Sequence, residues 1–166
     1  MEKKSDLFQN NLKRKITITE EDPNTPDAIN LIDELSETLA SITGDSGRNS
    51  FELSDVKVPR AIFVVARNRD GNAIGCGAFR PINENTAEIK RMYTKPKSMG
   101  VGTEILAYLE ARVKEYGYTF LRLETRLVNY KAVLFYEKNG YKRIPNYGKY
   151  IGNSKAVCFE KCIKNI

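Results

Sequence analysis

The segment from Ala61 to Thr94 sets the tightest limit on what this chain can fold into. Two apolar runs, 61–67 and 73–80, flank "RDGN", whose Asp70-Gly71 pair is a strong hairpin turn signal. A second polar turn, "INEN", leads into a third strand, "TAEIKRMYT", at 86–94. Strands joined by turns this short pair antiparallel, so the middle of the chain is a three-stranded meander. The remaining elements have to assemble around that sheet.

Upstream, "RKITITEED" (14–22) places Ile16 and Ile18 on one face and reads as a strand, broken by Pro23 and Pro26. Asp27 is the expected cap of a helix in which Ile29, Leu31, Ile32, Leu35 and Leu39 recur at helical spacing, ending near Gly44. Residues 44–60 are polar and aperiodic, a loop with room for a short helix near Leu53. Downstream of the meander, a helix from Thr103 to Tyr116 carries Ile105, Leu106, Leu109 and Val113 on one stripe, with Gly117 in capping position. "FLRLET" (120–125) is a strand with Leu121 and Leu123 on one face and Arg122 and Glu124 on the other. "NYKAVLFYEKNGY" reads as a short helix opened by Asn129 and ended by Asn139-Gly140, and the remainder supplies one or two closing strands. A strand-helix-strand unit beside a meander gives a mixed, mostly antiparallel sheet flanked by helices, the α/β (α+β) class. One domain spanning 14–166 is expected, preceded by a flexible arm at 1–13.

Composition narrows the chemistry. The 166 residues suit a single core, and 41% of them are apolar. No apolar run is long enough to cross a bilayer, and "MEKKSDLFQNNLKRK" has no secretion signal, so a cytoplasmic location and no membrane partner are expected. Histidine is absent, which removes Ser-His-Asp and Cys-His nucleophiles and histidine zinc sites. Cys76, Cys158 and Cys162 lack a CxxC pair and read as small buried residues; no metal is expected. Proton transfer is therefore left to Glu, Asp, Tyr, Lys, Cys or water. The net charge of +6 favours anionic partners. No nucleic-acid-binding signature accompanies it, and none is expected as a partner.

"KPKSMGVGTEIL", from Lys95, sets Gly100 and Gly102 at the start of the second helix. They either shape the strand-to-helix turn or leave the backbone bare for a ligand. The first N–H groups of a helix lack internal partners and sit at the positive end of its dipole, which together cradle a phosphate. Lys95 and Lys97 are then placed to add charge at the rim. The Walker pattern does not fit, because Thr103-Glu104 follows Gly102, and the dinucleotide fingerprint fails at Ile105.

From Glu88 to Ile144 the sequence resembles the core of the GNAT N-acetyltransferase family. The family signature is Arg or Gln, two residues, Gly, one residue, then Gly or Ala. Lys97-Ser98-Met99-Gly100-Val101-Gly102 matches it, with Lys in the first place. The resemblance implies acetyl-CoA as co-substrate and a splayed pair of fourth and fifth strands. The pantetheine arm would pair with the main chain of Met92, Tyr93 and Thr94, as an added strand does. The pyrophosphate would rest on backbone groups from Met99 to Thr103. A tyrosine on the helix after the fifth strand would protonate the departing thiolate, with an asparagine seven residues earlier touching pantetheine; Tyr136 and Asn129 match that spacing. From the residues alone, Tyr136 also fits a core aromatic, and Asn129 a helix cap.

Transfer of an acetyl group to an amine also needs the amine neutral. Glu124 and Glu88 lie on the relevant strands as base candidates, and each also fits a surface ion pair, with Arg122 and Lys90 respectively. In an unbroken strand Glu88 shares a face with Met92. Tyr147, Tyr150 and the 44–57 loop are candidates for the acceptor pocket. The expected activity is acetyl-CoA-dependent N-acetylation of a primary amine, on a small molecule or a protein, by direct attack in a ternary complex. The competing reading is a non-catalytic CoA-binding regulatory module. A monomer or homodimer is expected, and the positive surface disfavours strongly cationic acceptors.

Overall fold

Residues 16–164 are described by a computed structural model, and the arm expected at 1–13 lies outside the described residues. The strands are β1 (Thr17–Glu20), β2 (Ile62–Arg67), β3 (Ala73–Pro81), β4 (Thr86–Thr94), β5 (Phe120–Arg126), β6 (Lys142–Ile144) and β7 (Ala156–Cys162). Among the described residues three α-helices accompany them: α1 (Pro26–Thr43), α2 (Val101–Glu115) and α3 (Tyr130–Lys138). The strands form one sheet in the order β1-β2-β3-β4-β5-β7-β6. All neighbours are antiparallel except β4 and β5, which α2 joins as a parallel pair. The mixed, mostly antiparallel sheet expected from the meander and the strand-helix-strand unit is the one observed.

Alternation along the strands divides the core between the two sheet faces. Ile62, Val64 and Ala66 of β2 pack with Leu106, Leu109 and Val113 of α2. Phe63 and Val65 of the same strand pack instead with Ala28 and Leu31 of α1 and with Phe51. Covering on both faces explains why β2 is apolar throughout. Gly75 and Gly77 of β3 let α2 lie close. A Cβ on Gly77 would stand 2.7 Å from the Met92 sulfur and 2.9 Å from Ile105.

Several boundaries differ from the sequence expectation. The cap of α1 is Thr25, with Pro26 at the first helical position, where its missing N–H costs nothing. Asp27 instead takes the Arg67 guanidinium at 2.9 Å. Helix α2 begins at Val101 rather than Thr103, because Gly100 adopts a left-handed φ of 78° and lets the helix start at once. The 44–60 loop holds two single turns of 3-10 helix, Arg48–Ser50 and Leu53–Val56. Cys76 and Cys158 are buried as expected, but Cys162, at the end of β7, is exposed.

The most consequential departure is in β4. Tyr93 pairs with Cys76 and Lys90 with Ala78, so Arg91 and Met92 together face Gly77. This is a β-bulge, and Arg91 carries a left-handed φ of 53° within it. The extra residue reverses the alternation. Met92 packs with the α2 side of the core, while Glu88 and Lys90 point to the α1 side. Glu88 and Met92 therefore do not share a face.

Candidate active site

The parallel ladder between β4 and β5 covers Thr86↔Phe120, Ala87↔Leu121 and Glu88↔Arg122, and stops there. Beyond it the two strands part, and the β5-facing edge of β4 through Met92, Tyr93 and Thr94 has no strand partner. A cavity of about 610 Å³ occupies the opening. It is lined from the α2 and α3 side by Met92, Gly102, Asn129 and Tyr136, and from the α1 side by Leu39, Phe51, Glu124 and Tyr150. A cavity lined from both faces at a gap in the sheet gives two reactants separate approaches to one point.

The two glycines at the start of α2 have different reasons to be there. A Cβ on Gly100 would meet nothing within 4 Å, so its requirement is the left-handed φ of 78°. Gly102 has no such φ, and its Cβ would find Phe135 and Thr94 at an ordinary 3.6 Å. Packing within the chain thus does not demand glycine at 102, yet the residue lines the cavity. There a side chain would project into the space a ligand enters. The N–H groups of Gly102 and Thr103 have no hydrogen-bond partner among the described residues, and helix α2 runs away behind them. Unpaired N–H donors, a bare backbone and the positive end of a 15-residue helix fit an anionic phosphate. Lys97 flanks the turn with its own left-handed φ of 67°. Lys95 is engaged elsewhere, pairing with Glu34 of α1 at 3.1 Å, where the Tyr93 hydroxyl also donates to Glu34.

Asn129 and Tyr136 both line the same cavity. Asn129 caps α3, accepting from the Ala132 N–H at 3.4 Å, which leaves its amide NH₂ available to a ligand. Tyr136 is buried among the rings of Phe135, Tyr141 and Phe159. Its hydroxyl has no hydrogen-bond partner among the described residues and is not sealed in the core. Burial pushes its acidity well away from the ordinary tyrosine range, so the phenol keeps its proton.

The two glutamates sit in different surroundings. Glu88 is held by Arg80 at 3.1 Å, by Lys90 at 3.4 Å and by the Tyr147 hydroxyl, and it does not line the cavity. Glu124 does line it, with Arg126 at 2.6 Å as its ion-pair partner. Burial raises the Glu124 pKa above the usual carboxylate range, against the opposing pull of Arg126 and Lys90. Tyr150 also lines the cavity and accepts a hydrogen bond from the Lys90 ammonium at 2.7 Å.

The family model for the "Acetyltransferase (GNAT) family" matches residues 28–141, the span that holds the gap, the glycine turn and Tyr136. The chain belongs to the GNAT acetyltransferase family. It is therefore an acetyltransferase, of a family whose acyl donor is acetyl-CoA. A relative named IAA acetyltransferase, from Azospirillum brasilense, is 29% identical over 149 residues, covering 88% of this chain and 97% of that protein. A crystal structure from Klebsiella pneumoniae subsp. pneumoniae MGH 78578, described as an acyl-CoA N-acyltransferase, is 30% identical with a TM-score of 0.76. That match covers 89% of this chain and 97% of the other. A GNAT acetyltransferase from Elizabethkingia anophelis, solved with acetyl-CoA bound, shares the fold at 18% identity and a TM-score of 0.66, over 89% and 97% of the two chains. Among the described residues no helix is long and apolar enough to cross a membrane.

Within this GNAT domain, part of the cavity wall comes from residues with no functional signal in the sequence. Leu35 and Leu39 of α1 line it, although helical spacing marks them only as an apolar stripe, and so does Ile42 near the end of that helix. Asp45, Gly47, Asn49 and Phe51 of the 44–57 loop also line it. Lys90, expected only as an ion-pair partner of Glu88, and Arg91, to which the sequence assigns no role, both reach the cavity. Tyr147 does not line it and is tied to Glu88 instead.

Proposed function

We propose that this chain transfers the acetyl group of acetyl-CoA to a primary amine by direct attack within a ternary complex. Acetyl-CoA supplies an activated thioester. The N–H groups from Met99 to Thr103, with Lys97 and Ser98 at the turn and the Val101 backbone behind it, take its pyrophosphate. The free β4 edge at Met92, Tyr93 and Thr94 pairs with the pantetheine amides, and the Asn129 amide adds a contact to the same arm. This directs the thioester into the gap between β4 and β5.

The amine enters from the α1 side. Glu124 takes its proton, directly or through one water, and the freed nitrogen lone pair forms the new C–N bond. The tetrahedral adduct collapses with cleavage of the C–S bond, Tyr136 gives its proton to the leaving sulfur, and the proton left on the new amide nitrogen passes through water to solvent, from which Tyr136 is reprotonated. Glu88, held by three partners, keeps Lys90 and Tyr147 in place at the edge of the site. No covalent acyl-enzyme is needed, in keeping with the absence of histidine and of any cysteine from the cavity lining.

The observation that carries this reading is the cavity through the open β4–β5 seam, with unpaired helix-start N–H groups on one side and the half-buried Glu124 carboxylate on the other. Calorimetry with acetyl-CoA, followed by thiol release over a panel of amines, tests it. Micromolar binding and amine-dependent thiol release are expected. Binding without release above hydrolysis for any amine would leave a CoA-binding module in place of the enzyme.

A further inference from the structure

The α1 side of the cavity holds a buried cation that the protein does not neutralise. Arg91 is 7% exposed and lines the cavity. One of its η nitrogens donates to the Gly47 carbonyl at 2.6 Å, the other reaches the Ser36 hydroxyl at 3.4 Å, and the Phe51 ring lies 5.2 Å away. Among the described residues no carboxylate stands within ion-pair distance of it. A guanidinium carries five N–H donors, so most of its donor capacity is unanswered. Removing such a charge from water without a counter-ion is costly, and burial lowers its pKa accordingly. Its left-handed backbone within the bulge adds strain to the same residue.

Two cations beside it are engaged. Arg126 pairs with Glu124 at 2.6 Å and approaches Asp45 at 4.0 Å, and Lys90 pairs with Glu88. Lys149, exposed on the cavity lining, makes no ion pair among the described residues. Arg91 and Lys149 thus leave two positive charges on the α1 side of an opening whose carboxylates there, Glu124 and Asp45, both already face Arg126. They lie with the α1-side residues Phe51, Lys90 and Tyr150, away from the helix-start N–H groups at Gly102.

We propose that the acceptor is an amine that carries its own carboxylate close to the nitrogen. Arg91 takes that carboxylate through its planar fork, Lys149 adds charge at the rim, and Glu124 faces the amino group. The arrangement rejects polycationic acceptors, which would meet Arg91 without a counter-ion. The inference rests on the acetyltransferase reading above and adds the substrate class.

The test is thiol release from acetyl-CoA by the full chain with matched acceptors. Phenylalanine, methionine and β-alanine are each compared with the primary amide and the decarboxylated amine, with spermidine as the polycation. The best acid is expected to exceed its amide and its decarboxylated partner in kcat/KM by about tenfold or more. Arg91→Gln is expected to bring that ratio to about threefold or less, chiefly through KM for the acid. Equal or better turnover of the amide, the plain amine or spermidine overturns the proposal, as does an unchanged ratio in Arg91→Gln. If Arg91→Gln does not fold, the wild-type ratio and Lys149→Gln decide, the latter expected to raise KM for the acid about threefold and not for the amide. If no amine is turned over, calorimetry of the acids against their amides on the CoA-bound protein decides, and equal binding overturns the proposal. The acetyl-CoA heat is read separately. Its absence sinks the acetyltransferase reading and this inference with it, whereas its presence without acid preference sinks the inference alone.

Discussion

The two halves of the β4–β5 seam are built from the same two strands and do opposite things. From Thr86 to Glu88 the ladder with Phe120–Arg122 is complete, and Ala87 and Leu121 are fully buried between the layers. From Lys90 to Thr94 the ladder is missing, every side chain but the buried Arg91 is half-buried, and the strands wall a cavity. The bulge at Arg91 separates the halves. An extra residue there re-aims every side chain after it and ends the register on which pairing depends. In the closed half the backbone hydrogen bonds hold the sheet together. In the open half the same groups remain free for a ligand. Stability and binding draw on one kind of interaction, divided along a single strand.

The sharpest way to break this comparison is to place the same side chain at a glycine of each kind. Gly102→Val puts branched methyls into the cavity, where a Cβ itself finds only ordinary contacts at 3.6 Å. Acetyl-CoA affinity is expected to fall by about 100-fold or more, about 2.7 kcal/mol, with little change in thermal stability. Gly77→Val, whose Cβ would already stand 2.7 Å from the Met92 sulfur, is expected to overpack the core and destabilise by about 1–3 kcal/mol or more. Calorimetry and thermal melts on both variants separate the two. Normal acetyl-CoA binding by Gly102→Val would show that the helix start is not the cradle.

Tyr136→Phe sharpens the comparison at the point where the open half meets the core. The ring is packed by Phe135, Tyr141 and Phe159, and the phenylalanine ring keeps those contacts. The hydroxyl has no partner among the described residues, so its loss is expected to leave stability and acetyl-CoA affinity almost unchanged. Turnover is expected to fall about 100-fold, the usual contribution of a positioned general acid. Steady-state kinetics beside calorimetry checks the split. An unchanged kcat would hand protonation of the thiolate to water.

The closed half was legible in the sequence and much of the open half was not. Periodicity located every strand of the meander, because apolar runs bounded by Asp70-Gly71 and "INEN" have few alternatives. It placed α2 two residues late, since nothing in the sequence says that Gly100 itself turns left-handed. The bulge left no mark either, because Arg91 is not a residue type that favours a positive φ. Without the bulge, alternation puts Glu88 with Met92, and the structure separates them. Helical spacing picked out Leu35 and Leu39 as an apolar face, but spacing alone does not tell whether such a face covers protein or a ligand. Lys95 looked free for a phosphate until α1 brought Glu34 to it, a contact across 61 residues.

The same limit applied to Glu88 and Glu124, which sequence reasoning left side by side and which pH separates. Burial raises the Glu124 pKa, so it binds its proton at a higher pH than an ordinary carboxylate, for which about 4.3 is usual. A base must be ionised to act. The rate constant kcat/KM is therefore expected to fall as pH drops through an inflection above that usual value, while the acceptor ammonium shapes the profile at higher pH. Glu124→Gln is expected to lower kcat/KM about tenfold near neutral pH and to abolish the acidic inflection. Glu88→Gln is expected to keep the inflection and to show its effect in melting temperature, because it weakens a buried carboxylate held by Arg80 and Lys90. If the inflection survives in Glu124→Gln and vanishes in Glu88→Gln, the base lies on the closed half of the seam, and the division of labour drawn here between the two halves is reversed. If it survives in both, the amine loses its proton to water, and the open half contributes position and charge without a base of its own.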